Sequence, residues 1–395
     1  MLSEQMMRLG KKRSVIREIF EYGNKRRAEI GADNVFDFSL GNPSVNPPAC
    51  VNDTIKRLLK EEDDLTLHGY TSAQGDAKVR AAVADYINRT FGRHMTGDKI
   101  YMTVGAAASL TICIKAMAVD GDEFITFAPF FPEYRVFVEN AGGRLTVVPS
   151  REDDFQIDAG RFEAAVTPAT KAVILNSPNN PSGVVLSEDT VKALCGILKE
   201  KEREYGHPIY LITDEPYREL VYDDSVQVSY LMNYYEDTLV CYSFSKSLSL
   251  PGERIGYIAV CDDMADGDDM YAAICGAGRA LGYVCAPSLF QRVAAECIGQ
   301  TADISIYKKN RDLLVDGLTA SGFHCVKPDG AFYLFVKSPE PDAAAFCERA
   351  KKYELLLVPG DDFGCPGFVR IAYCVTTRQV ERALPAFEKL AAEYR

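Results

Sequence analysis

The chain contains no tryptophan and only four histidines, His68, His94, His207 and His324, too scattered to suggest a metal site. Its twelve cysteines include no C-x-x-C pair and no zinc spacing; Cys50, Cys113, Cys195 and Cys241 fall singly, and many of the twelve sit inside apolar runs. That is the pattern of buried, reduced thiols in a cytoplasmic protein rather than of a disulfide framework. No apolar run approaches the roughly 18 residues a membrane span needs. The opening "MLSEQMMRLGKKRSVIREIF" threads charge through its apolar positions, unlike a secretory signal. Basic residues are in deficit, 44 against 56 acidic, for a formal charge of −12. That balance argues against nucleic acid and anionic membranes as partners, while leaving room for a local basic pocket that takes a small anion. Internal repeats, low-complexity tracts and Gly/Ser linkers are also missing.

What is present is an ordinary globular composition, 47% hydrophobic and 25% charged over 395 residues, long enough for about two domains. Residues 14–30 read as an amphipathic helix, and "VFDFSLGNPSVNPP" as a short strand running into a Gly/Pro loop. From 51 to 290, strand patterns (99–104, 123–128, 144–149, 171–176, 208–213, 238–243 and 256–260) alternate with helical ones, among them 105–118, 132–141 and 187–205. The alternation predicts an α/β fold with a mostly parallel sheet covered on both faces, and such sheets bind ligands at the carboxyl ends of their strands. Residues 291–395 read differently: a long helix, "HCVKPDGAFYLFV", another helix, "LLLVPG", "FVRIAYC" and a final helix. The expected division is a large domain over 51–290 and a smaller α+β domain made of 1–50 with 291–395.

The strand exits carry the chemistry. "TVGAAASL" opens a helix with small residues whose free N–H groups suit a phosphate. "NSPNNPSG" is a rigid loop able to aim Asn180. "TDEPY" leaves Asp214 at the crevice edge, where a buried carboxylate needs a cationic partner, with Tyr217 alongside as a hydrogen-bond donor. "SFSKSLSLPGERIGY" gathers Ser243, Lys246 and Arg254. A partly desolvated lysine beside other cations loses basicity and becomes a nucleophilic amine able to form a Schiff base with an aldehyde. An aldehyde that carries a phosphate and a basic ring nitrogen is pyridoxal 5′-phosphate (PLP). It asks for a lysine, a phosphate cradle, an acid for the ring nitrogen and donors to its phenolic oxygen, and candidates for all four are present.

Taken in order, "SLGNPSVNPP", "YTSAQGDAKVRAAVADY", "TVGAAASL", "NSPNNPSG", "TDEPY", "SFSKSLSLPGERIGY", "PDGAFYLFV" and "FVRIAY" resemble the segments of the fold-type I PLP-dependent aminotransferases of class I and II, the aspartate aminotransferase superfamily. The resemblance runs over nearly the whole chain. It implies the fold-type I transferase architecture and a ping-pong transfer of an amino group from an L-amino acid to a 2-oxo acid. Lys246 would form the internal aldimine and shuttle the proton, and Asp214 would pair with the pyridinium nitrogen. Tyr217 and Asn180 would bond the phenolic oxygen, and Phe131 would stack on the ring. Ser243, Arg254 and the amides of Ala106 and Ala107 would hold the phosphate. Arg370 would grip the substrate carboxylate, with Gly41 and Asn180 nearby. Tyr70 would reach the neighbouring site of a homodimer.

The chain departs from the family at Ala107, where one aspartate-specific subgroup carries a lysine for the distal carboxylate; another branch takes an arginine from the partner subunit in the stretch that here holds "GAGRALGY", which makes Arg279 a candidate without fixing its register. The same motif set also serves PLP-dependent lyases, such as C–S β-lyases or an enzyme like aminocyclopropane-carboxylate synthase, which are the alternative reading. Two other patterns are set aside. Ser243 to Lys246 fits S-x-x-K, but S-D-N and K-T-G are missing and this lysine is expected at a strand exit rather than on a helix. "DDMADGDDM" (262–270) lacks the twelfth-position glutamate of a calcium loop and is expected to be a solvated loop.

Overall fold

Seven strands form the main sheet, in the order Ile100–Thr103, Gly256–Val260, Thr238–Ser243, Tyr210–Asp214, Thr170–Asn176, Glu123–Ala128, Arg144–Pro149. Only Gly256–Val260 runs against the rest. Most strands are buried along their whole length, as near-continuous runs of Ile, Val, Leu and Phe require when helices cover both faces. The computed structural model describes residues 2–11 and 14–395, so Met1, Lys12 and Arg13 of the N-terminal stretch lie outside the described residues.

Local chemistry sets the helix ends. Ser187 accepts from the Thr190 amide at 3.1 Å to start Glu188–Tyr205, and Gly206, in the left-handed region, ends it. Asp76 and Gly92 do the same for Ala77–Phe91. Among the described residues no helix is long and apolar enough to cross a membrane. The twelve cysteines are free thiols.

A second, antiparallel sheet orders Val358–Pro359, Phe368–Ala372, Tyr333–Lys337 and His324–Cys325. Phe36–Asp37 pairs in parallel with Leu355–Leu356, so the N-terminal segment joins the C-terminal part of the chain. The two sheets are stitched together through loops. The Ala331 amide donates to the Leu220 carbonyl at 2.8 Å, and the Gly183 carbonyl accepts from the amides of Asp329 and Gly330 at 3.1 and 2.9 Å. Gly183 has φ +72°, and a Cβ there would meet Pro328 and the Tyr333 carbonyl, each at 2.6 Å. The lead-in to Tyr333 is thereby pinned against the main sheet.

Two expectations need correction. The single long helix after 291 is two, Ser288–Cys297 and Ser305–Ala320, because Gly299 turns at φ +86° between them; the Ser305 amide that opens the second donates to Asp303 Oδ1 at 3.0 Å. The acidic stretch 262–270 is not simply a solvated loop. Arg93 donates to both Asp262 and Asp263, Met264 is buried, and the helix Gly267–Ala280 begins inside it.

Candidate active site

The carboxyl ends of the parallel strands open onto a cavity of about 290 Å³. Every predicted site residue but one lines it, from Gly41, Ala106 and Ala107 through Phe131, Asn180, Asp214 and Tyr217 to Ser243, Lys246, Arg254 and Arg370. The exception is Tyr70, which lies outside the cavity and is 97% exposed. Arg279 is exposed on the last turn of its helix and, like Tyr70, does not line the cavity of its own subunit.

Lys246 stands on a one-turn helix, Phe244–Ser247, not on the strand exit itself. Ser243 ends the strand and caps that turn, its Oγ accepting from the Ser245 amide at 3.2 Å, so a serine cap converts the strand into a helix just before the lysine. Lys246 Nζ donates to the Gly41 carbonyl at 2.8 Å and lies 5.4 Å from the Phe332 ring centre. Burial, with added repulsion from Arg254 and Arg370, pulls its pKa down to about 8. At neutral pH the amine therefore holds an appreciable neutral fraction, as a nucleophile must.

Asp214 is the last residue of its strand and is buried. Its Oδ2 accepts from Tyr134 Oη at 2.6 Å, while Oδ1 is buried without a partner. Burial pushes the carboxyl up to about 7; Glu215 adds to the rise and the Tyr134 hydrogen bond opposes it. The loop that follows is clamped by Arg218, which pairs with Glu215 and sits 5.0, 5.1 and 4.9 Å from the rings of Phe91, Tyr230 and Tyr242. That clamp fixes Tyr217, three residues beyond Asp214, against the cavity.

At another wall the helix Ala106–Met117 begins, its cap Gly105 at φ +96°. A Cβ on Gly105 would sit 3.0 Å from Arg254 Nη2, so glycine lets the guanidinium close on the helix N-terminus. Arg254 Nη1 is steered by the Pro251 carbonyl at 3.0 Å. Ser243, Ser245 and the first amides of the helix complete a cradle for a small dianion.

Arg370 is buried in mid-strand. Its Nη2 donates to the Ser39 carbonyl at 2.6 Å and its Nη1 to Asn180 Oδ1 at 3.2 Å, while Nε has no partner. The guanidinium lies 4.7 Å from the Tyr333 ring centre and 5.0 Å from that of Phe363. No described carboxylate pairs with this buried cation, which is the arrangement expected of a receptor for a ligand carboxylate.

A second chamber of about 560 Å³ shares Ile16 and Phe131 with the first. Its walls include Val15, Val136, Val147, Val358 and Phe363, with Glu133 and Asp361 among its acids. Among the described residues its one arginine is Arg135, which Glu139 engages at 3.5 Å. Sequence reasoning missed Ile16, Tyr134, Ser245 and Tyr333. Tyr134 and Tyr333 read as ordinary aromatics of "FFPEYRVF" and "GAFYLFV", and only "SFSK" held a usable signal, a second serine beside the first.

The residues present suit PLP: an amine of lowered basicity, an unpartnered buried carboxylate oxygen for a ring nitrogen, and a dianion cradle line one cavity. The comparisons agree. A family model described as aminotransferase class I and II matches residues 33–387. A probable aspartate/prephenate aminotransferase of Thermus aquaticus is 31% identical over 92% of this chain and 94% of its own. A crystal structure of an amino transferase from Eubacterium rectale superposes with a TM-score of 0.98 at 57% identity, covering 100% of this chain and 99% of that one. The aspartate aminotransferase of Thermus thermophilus with maleate superposes with a TM-score of 0.86 at 27% identity, covering 99% of each.

Proposed function

The chain belongs to the class I and II aminotransferase family, and from that premise we propose that Lys246 is the residue that carries its coenzyme. It is a PLP-dependent aminotransferase, acting on amino acids and 2-oxo acids. The observation that carries the assignment of roles is the pairing, in one cavity, of the softened Lys246 amine with the orphaned Asp214 Oδ1.

PLP, when bound, supplies an aldehyde carbon and an electron-withdrawing ring. Everything else falls to the chain. Lys246 would hold the aldehyde carbon through its neutral amine and, when free, its amine would move the proton of the substrate Cα. Asp214, held by Tyr134, presents Oδ1 to keep the ring nitrogen protonated. Tyr217 and Asn180 would donate to the phenolic oxygen, Phe131 would stack on the ring, and Ser243, Arg254 and the amides of Ala106 and Ala107 would anchor the phosphate. Arg370 takes the substrate carboxylate in its planar fork beside Gly41 and Asn180.

We assign residues 51–290 to a large coenzyme-binding domain and 1–50 with 291–395 to a small one. A cytoplasmic homodimer is the working form in this reading, with Tyr70 contributed to the neighbouring site. Support for the dimer lies in the 97% exposure of Tyr70 and 84% exposure of Leu65, with Val284 also exposed; Gln291 and Arg292 tie this segment to the helix Ser288–Cys297 through Thr71 and Thr66.

Stopped-flow absorbance of the loaded protein against a panel of amino acids tests the reading, since each good donor bleaches the coenzyme band and releases its oxo acid; release of ammonia or sulfide instead would mark a lyase. Large uncharged donors such as phenylalanine, leucine and methionine are expected to outrun aspartate. A side chain leaving an α-carbon anchored at Arg370 passes Ile16 and Phe131 into a chamber whose described walls are mostly apolar, with the acids Glu133 and Asp361 and an arginine, Arg135, that Glu139 engages. Aspartate bleaching as fast as phenylalanine would overturn this side-chain preference without touching the coenzyme assignment.

Substituting Arg370→Leu removes a buried cation that has no carboxylate partner, so the fold is expected to survive. The KM for amino acids should rise by roughly a hundredfold, the worth of a charge-assisted, two-point hydrogen bond. Arg370→Lys should recover little of it, because an ammonium lacks the fork. Steady-state kinetics with one donor checks both, and an unchanged KM refutes the role.

A further inference from the structure

Tyr333 touches three elements of the site at once. Its hydroxyl lies 3.0 Å from Tyr217 Oη, and its ring is the surface on which Arg370 packs. Gly41, whose carbonyl holds Lys246, has no Cβ because one would fall 1.8 Å from the Tyr333 oxygen. Both tyrosines are buried, at 5% and 3% exposure, and their rings meet edge to face at 80°. Among the described residues neither hydroxyl has another partner, so this bond decides where each proton points. The approach is fixed from outside the site, because Gly183 and Leu220 hold the Tyr333 lead-in through the backbone bonds described above.

We infer that Tyr333 is a positioning residue for the coenzyme, acting through Tyr217: it donates its proton to the Tyr217 oxygen and so commits Tyr217's own proton to the coenzyme's phenolic oxygen. The inference rests on the proposed role of Tyr217. Two hydroxyls 3.0 Å apart can share only one proton along the line between them. If Tyr217 donates toward the coenzyme, Tyr333 is the remaining donor, and a phenol that accepts a hydrogen bond is a stronger donor in turn.

The consequence is spectroscopic. In the loaded enzyme the nitrogen linking Lys246 to the coenzyme holds its proton against the phenolic oxygen, and negative charge on that oxygen makes the nitrogen more basic. A donor on the oxygen draws this charge away and lowers the titration midpoint of the visible band; a weaker donor lets the midpoint rise. Tyr333→Phe keeps the ring under Arg370 and removes only the hydroxyl. Its loaded form is expected to titrate roughly half a unit to one unit above wild type, the effect of losing one buried hydrogen bond. Tyr217→Phe should move the midpoint in the same direction at least as far, and the double variant should match Tyr217→Phe alone.

A Tyr333→Phe midpoint equal to wild type, beside a shifted Tyr217→Phe, overturns the inference and leaves Tyr217 in place. A Tyr333→Phe shift that persists in the Tyr217→Phe background also overturns it, because the residue would then act independently. If Tyr217→Phe itself titrates like wild type, the role proposed for Tyr217 fails and the inference falls with it.

Discussion

Replacing Lys246 by alanine is expected to lower turnover by on the order of 10⁴-fold or more, because one side chain is asked both to bind the coenzyme covalently and to move the proton. Borohydride reduction of the loaded wild-type protein, followed by peptide mapping, should place the label on Lys246, and the alanine variant should take none. Lys246→Arg keeps a cation near Gly41 but offers no free amine at any working pH, so it should fail nearly as badly. The backbone around the lysine does not depend on its amine: the turn Phe244–Ser247 is capped by Ser243, and Tyr242 Oη donates to Ser247 Oγ at 2.9 Å. Loss of activity in a variant with a native circular dichroism spectrum would thus reflect chemistry. Turnover within tenfold of wild type would refute the assignment.

The second large effect belongs to Asp214, and it has two faces. Asp214→Asn keeps the shape and removes the charge, so the ring nitrogen loses the partner that holds its proton. Turnover should fall by on the order of a thousandfold or more, the range seen when a preorganised electrostatic partner is lost. Stability should move the other way in the coenzyme-free protein. There burial raises the Asp214 pKa to about 7, above its unfolded value of about 3.9. The folded state thus binds the proton more tightly than the unfolded state, and stability from this group falls as pH rises from about 4 to about 7, the penalty staying in full above that. The coenzyme-free asparagine variant should accordingly match wild type near pH 4 and exceed it at pH 8, by about 4 kcal/mol at most. Loading with coenzyme should reverse the order at pH 8, since a protonated ring nitrogen repays the buried carboxylate. Thermal melts of both proteins, with and without PLP at both pH values, check the sign. A coenzyme-free variant less stable than wild type at pH 8 would overturn it.

The residues legible in the sequence are those whose positions follow from a short stretch. Lys246, Asp214 and Asn180 stand just where an apolar run gives way to polar residues, and the rule that parallel sheets bind ligands at strand exits is enough to find them. Arg370 required the order of all the segments, since a mid-strand arginine alone says nothing. The turn carrying Lys246 was not foreseen, because a serine cap acts over two residues and leaves no periodicity to read. Tyr134 and Tyr333 could not be found locally at all: each meets its partner across 80 and 116 residues of chain, and an aromatic in an apolar segment looks the same whether or not its hydroxyl is used. The side-chain chamber was invisible for a similar reason, being assembled from the helix Val15–Ile30, the loop around Phe131 and the turn Asp361–Phe363.

That patchwork chamber divides the labour of evolution. The groups assigned to bond making stand at the end of a buried strand, as Asp214 does, or one turn beyond it, as Lys246 does, where a change disturbs the main sheet. Part of the chamber proposed for a side chain hangs instead from a turn and an outlying helix, at Asp361 and Ile16, which can be exchanged without disturbing the main sheet. New diets for this catalyst should therefore be reached by editing residues such as Ile16, Glu133 and Asp361, leaving the electron-handling half as it stands.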